Sequence, residues 1–219
     1  MAEEASHEIS NEAIKSAASE AVGQGIDIRE QVRDLTLRAL SSRKLYPDEV
    51  RQVVRATTEG IAMGAANRDR DVRLAVADAV KGLDEAIMKA AEAGRLALEE
   101  LTSRSRDFSQ NELKQALADM KRIEEDFLAT VAQVAESAKP VVKTQLNDVL
   151  SHMRRGGTDT GVKVASTMNE FTQRMTQAYI DTHVAGMEAA KEFSTRWAQV
   201  TSGFLAGLSE ALRQDDKRS

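Results

Sequence analysis

Few side chains in this sequence are of the types that do covalent or metal chemistry, and those few stand apart. The histidines are His7, His152 and His183. A zinc or general-base site needs several donors converging, often one helical turn apart. The nearest such neighbour is Asp181, two residues from His183 and therefore on a different helix face. Cysteine is absent, which excludes disulfides, thiolate ligands and cysteine nucleophiles. Arg154-Arg155-Gly156-Gly157-Thr158 offers guanidinium groups and backbone N–H donors of the kind that hold a phosphate. A helix C-terminus with basic residues in its last turn and a glycine stop explains the same string. Glu124-Glu125-Asp126 reads as a solvated helix face. Neither a glycine-rich phosphate loop nor a nucleophile elbow occurs. No catalytic, cofactor-binding or metal-binding residue is assigned, and no enzyme is expected.

The chemistry that remains belongs to apolar surface. Near the C-terminus, large side chains fall into rows when read every eleven residues: Phe171, Thr182, Phe193 and Phe204; Met175, Gly186, Trp197 and Leu208; Ala178, Ala189, Val200 and Ala211. Eleven residues over three turns is about 3.67 per turn, close to the α-helical value, so the stripe stays nearly straight and suits a flat surface. The opposite face carries Thr172, Gln173, Gln177, Thr195, Gln199 and Ser202 among balanced charges. Phe171, Met175, Phe193, Trp197, Val200, Phe204 and Leu208 are the candidate surface- or partner-binding residues. As a core residue Trp197 would anchor a bundle; on a surface its ring would be buried and its indole N–H wet.

The elements that must position this stripe are helices. The two prolines, Pro47 and Pro140, leave long uninterrupted stretches, and no run alternates as a strand does. Apolar content is 42% with only 4% aromatic, so Ala-rich helices with small contact residues are expected. The fold class is all-α: an elongated helical bundle of antiparallel hairpins with a long amphipathic C-terminal helix. Helices are predicted over 8–22, 27–41, 47–62, 69–103, 109–138, 141–155 and 160–213. Gly60, Gly64 and Asn67 weaken the region after the third, and Ser109 with Glu112 forms a capping box beside a Phe108 and Leu113 staple. Pro140 opens a helix or kinks one, and Thr158 or Asp159 caps the last. This divides the chain into a short-helix region 1–66, a long-hairpin region 67–155 and the amphipathic helix with its tail, 156–219. As one helix, residues 160–213 would span about 80 Å, against a radius of gyration of about 17 Å for a compact chain of this size. A single globule could not cover that length.

Two further periodicities bear on assembly. Val76, Val80, Leu83, Ile87, Ala90, Gly94, Ala97 and Leu101 alternate steps of four and three, a heptad seam. Val76, Val80, Leu83, Ile87 and Leu101 are the candidate helix–helix residues, with residues 109–138 as the expected partner inside the chain and a seam between chains as the alternative. A 22-residue repeat links Asp27-Ile28-Arg29 with Val32, Glu49-Val50-Arg51 with Val54, and Asp71-Val72-Arg73 with Val76. Duplication of a helical unit would produce it, and so would amphipathic helices that share common residues.

A net charge of −5 disfavours nucleic acid as partner. The acidic N-terminal residues Met1 to Glu8 do not resemble a targeting segment, and no window of about 20 apolar residues offers a transmembrane helix. A cytoplasmic protein, peripheral to a granule or membrane at most, is expected.

Residues 160–212 resemble phasins, the bacterial helical proteins that coat polyester storage granules. The likeness sits in Met168-Asn169-Glu170-Phe171, Lys191-Glu192-Phe193-Ser194 and Phe204-Leu205-Ala206-Gly207-Leu208-Ser209-Glu210-Ala211-Leu212. The stripe also looks like those of exchangeable apolipoproteins, whereas Ile28 to Leu98 looks more like an uncharacterised bacterial helical family. The resemblance implies a granule or lipid-surface coat, without cofactor, that forms homo-oligomers through its heptads. The competing reading is a scaffold or adaptor that self-assembles or binds a protein partner through those seams.

Overall fold

Helix boundaries follow local chemistry throughout the chain. A computed structural model describes residues 9–43, 47–104 and 110–181, with side chains described for 9–43, 47–96, 118–119, 122–170 and 173. Among these residues are seven helices: α1 Asn11–Gln24, α2 Ile28–Ser41, α3 Pro47–Ala66, α4 Val72–Arg104, α5 Gln110–Ser137, α6 Pro140–Gly156 and α7 Asp159–Asp181. The described chain is an all-α bundle. Ser10 caps α1, its hydroxyl accepting from the Ala13 N–H at 3.2 Å, and Gly25, at φ +75°, turns the chain out of the helix. Pro140 opens α6 at a position where its missing N–H costs nothing. The expected capping box at Ser109 and Glu112 lies outside the described residues.

The third helix departs from expectation. It runs four residues past Ala62, to Ala66, and Gly60 and Gly64 lie within it as buried positions. A Cβ on Gly60 would meet the Lys15 carbonyl and Ala18, and one on Gly64 the Ser19 carbonyl and Val22. The glycines therefore let α3 lie directly on α1. Contact positions advance together on both helices, so the two run parallel, with Lys15 and Glu59 paired at 3.0 Å. Arg68 closes the shared end by donating to the Val22 carbonyl at 2.6 Å. At the other end, buried Arg43 donates to the Ile9 carbonyl at 2.6 Å and to Asn11 Oδ1 at 2.8 Å.

The 22-residue repeat has a structural counterpart at twice its period. Asp27 and Asp71 both adopt left-handed backbone conformations, with φ of 44° and 56°. Each lies immediately before a helix, and its carbonyl accepts from the N–H four residues on, of Gln31 and Ala75, both at 2.9 Å. The middle copy, Glu49-Val50-Arg51, falls instead within the first turns of α3. The recurring unit is thus two helices joined at an aspartate, α1–α2 and then α3–α4. Corresponding helices of the two units pack together: α1 lies chiefly on α3, and α2 on α4.

Alanines are interleaved with larger aliphatic residues in the core. One core cluster runs from Ile14 in α1 to Met153 in α6 and includes Ala21, Ala39, Ala56, Ala65, Ala75, Ala79, Ala86 and Ala135. Phe127 on α5 is its largest fully buried side chain. The expected pairing of α4 with α5 is only a minor contact. Instead, α4 packs on α2, α7, α6 and α3, while α5 lies mainly on α3. The reason is breadth: Ala75, Ala79, Ala86 and Ala91 widen the buried face of α4 beyond a two-residue seam, so it meets several helices.

Candidate functional site

Of the expected helix–helix residues, Val76, Val80, Leu83 and Ile87 are fully buried within the bundle. The Leu101 side chain lies outside the described ones. Phe171 and Met175 are placed on α7 by their backbone, their side chains again undescribed. Phe193, Trp197, Val200, Phe204 and Leu208 lie outside the described residues. What the structure defines is how α7, the helix on which the stripe begins, is attached.

That attachment is polar. Asp84, on α4 and 1% exposed, points its carboxylate at the N-terminus of α7. Its oxygens accept from the Asp159 N–H at 2.9 Å, the Thr160 N–H at 3.2 Å and the Thr160 hydroxyl at 2.8 Å. Two N–H groups that no helical carbonyl can reach are thereby satisfied, and the negative charge sits at the positive end of the helix. Thr158 completes the cap. Its Oγ1 accepts from the Gly161 N–H at 2.7 Å and donates to Glu124 Oε1 on α5 at 2.6 Å. Lys81 bridges the rim, 2.5 Å from Asp159 and 4.0 Å from Asp84.

Further along, Lys163 pairs with Glu92 at 2.7 Å and Arg95 with Glu170 at 3.6 Å, so α7 runs parallel to α4. Between Asp159 and Glu170 the buried side chains of α7 are Thr160, Val164 and Thr167, with a single aliphatic among them. The connection from α6 is Gly156-Gly157. Gly157 has φ +84° and accepts no side chain without strain, and a Cβ on either glycine would meet nothing.

Two expectations about polar strings resolve here. Arg154 and Arg155 lie in the last turn of α6, and the Gly157 N–H bonds to the Met153 carbonyl at 2.8 Å, as a basic helix end with a glycine stop requires. The Glu124 to Asp126 run is not merely solvated: Glu124 holds Thr158, and Asp126 lies 3.5 Å from Arg51 on α3. A shallow groove between α3 and α5 is lined by Asp48, Arg51, Gln52, Arg55, Asp126 and Gln133. Its arginines already face Asp48, Asp126 and Gln133.

Elsewhere, charge pairs join α2 to α4 and α1 to α3. Arg29 donates from Nε to Glu85 Oε1 at 2.8 Å, and this hydrogen bond, with the Glu85 charge, raises the guanidinium's pKa further. The Lys15 ammonium is likewise raised above its ordinary 10.5, first by its hydrogen bond to Glu59 and then by that residue's charge. Both groups are fully charged at neutral pH in any case, so these shifts describe anchoring and not proton transfer. Among the described residues no group of three or more His, Asp or Glu converges to hold a metal, and no helix is long and apolar enough to cross a membrane.

No curated protein and no solved structure matches the chain. A family model matches nearly all of it, over residues 4–214. On that match the chain belongs to the family of unknown function DUF6781.

Proposed function

We propose that this protein is a non-enzymatic coat protein that binds an apolar surface, of a polyester granule or lipid particle, through the stripe from Phe171 to Leu208. One observation carries the choice: the other large apolar face in the sequence is already covered. Val76, Val80, Leu83 and Ile87 are each 0% exposed, packed within the bundle. A scaffold that recruits partners through that part of the seam would have to open its own core. Among the described residues the apolar core draws on α1 to α6, and α7 adds Val164 at its edge.

The stripe itself supplies the driving force. Burying a large apolar side chain contributes about 1.5–3 kcal/mol, and Phe171, Phe193, Trp197 and Phe204 share one side of the helical pattern. A straight apolar face with a mild polar back is what surface adsorption needs, and it requires no catalytic group. Phe193→Ser with Phe204→Ser in the full chain should abolish co-sedimentation with polyester particles while leaving the circular dichroism of the bundle intact. Undiminished co-sedimentation of that double variant would remove the stripe from the mechanism.

A further inference from the structure

We infer that α7 is a detachable strap: a helix docked on α4 and α5 by a polar latch centred on Asp84, free to leave the bundle about Gly156-Gly157 without opening the core. Three independent observations converge on it. First, the docked face is polar. From Asp159 to Glu170, α7 buries Thr160, Val164 and Thr167, whereas the equally long stretch at the start of α6 buries Val142, Leu146 and Leu150. Apolar burial holds α6 in place, and charge pairs with hydroxyl contacts hold α7.

Second, among the described residues the buried hydrogen bonds that hold α7 lie at its N-terminus. Asp84 accepts three hydrogen bonds from Asp159 and Thr160, and Glu124 takes the Thr158 hydroxyl. Lys81 with Asp159, Lys163 with Glu92 and Arg95 with Glu170 extend the docking as ion pairs that water can replace on release. Asp84 and Glu124 belong to the bundle, and their partners Thr158 to Thr160 belong to the strap. Loss of the latch therefore separates the two parts and leaves the core cluster of Ile14 to Met153 whole.

Third, the joint is built to turn. A Cβ on Gly156 or Gly157 would meet open space, and Gly157 holds a backbone conformation that other residues avoid. Chain on one side is anchored by Met153 in the core, and chain on the other by the latch. This inference concerns only the attachment of α7 and stands whether or not the stripe that follows meets an apolar surface.

Hydrogen exchange on the full-length chain tests it. Asp84→Ala should speed exchange of the amides of residues 163–170 by at least about tenfold, because charge-assisted hydrogen bonds are lost, while amides of α1 to α3 keep their protection. Lys163→Glu, which turns one ion pair repulsive at a half-buried site, should act in the same direction without touching the buried latch. Raising salt should speed the same amides of the unmodified chain. If Asp84→Ala and Lys163→Glu loosen α1 to α3 as much as α7, or leave residues 163–170 unchanged, α7 is an ordinary member of the bundle and the inference is wrong.

Discussion

Leu83 has no exposed surface, and its neighbours along α4, Val80 and Ile87, have none either. Leu83→Ala should therefore cost about 2–5 kcal/mol in urea denaturation, the usual range for a buried leucine whose cavity cannot collapse. Thr158 tests a different kind of residue. Its hydroxyl serves the Gly161 N–H and the Glu124 carboxylate together, so Thr158→Val should weaken α7 docking by about 1–2 kcal/mol and Thr158→Ser by much less. Exchange rates of α7 amides give the readout. Thr158 as a cap was legible because capping acts within one turn of chain. Asp84 was not: it lies 75 residues from the N–H it caps, and within its own helix it looks like any aspartate on a helix surface. Only the parallel docking of α4 and α7 brings the carboxylate to a helix end.

Among the elements, glycines separate local preference from packing. Gly23 lies within α1 with nothing near a prospective Cβ. Gly23→Ala should stabilise the protein by about 0.5–1 kcal/mol, the helix-propensity gain alone. At Gly60, Gly64 and Gly82 the same change drives a methyl into a neighbouring helix's backbone, the carbonyls of Lys15, Ser19 and Arg29. There the overlap outweighs the propensity, and each Ala variant should lose about 1–3 kcal/mol in thermal or urea unfolding. Apart from the expected end of the last helix at 213, which lies outside the described residues, sequence reading placed the helix ends to within a few residues, because caps, Pro47, Pro140 and the glycine turns are local signals. It read Gly60 and Gly64 as weak points, since a glycine at a close helix contact and a glycine near a helix end look alike until the partner helix is known. For the same reason the strict heptad of α4 picks out Val76, Val80, Leu83, Ile87 and Ala90, which are buried, but not the helices that cover them.

For the whole molecule, an apolar core built from α1 to α6 is distinct from the largely polar docking of the first turns of α7. α1 to α4 form two helix pairs whose second members begin beside Asp27 and Asp71, and α5 and α6 complete the core. α7 is joined to that body through Gly156-Gly157 and polar contacts. The body should consequently stay monodisperse and folded when the stripe is made polar. The single tryptophan, Trp197, sits in the stripe and reports on it without labelling. The most direct measurement is its emission in the full-length protein as polyester particles are titrated in, with sedimentation of the particles followed in parallel. The coat-protein account predicts a blue shift that saturates as the protein leaves the supernatant, and loss of both effects in the Phe193→Ser, Phe204→Ser variant. Unchanged emission, with the protein remaining in the supernatant at saturating particle surface, would contradict it.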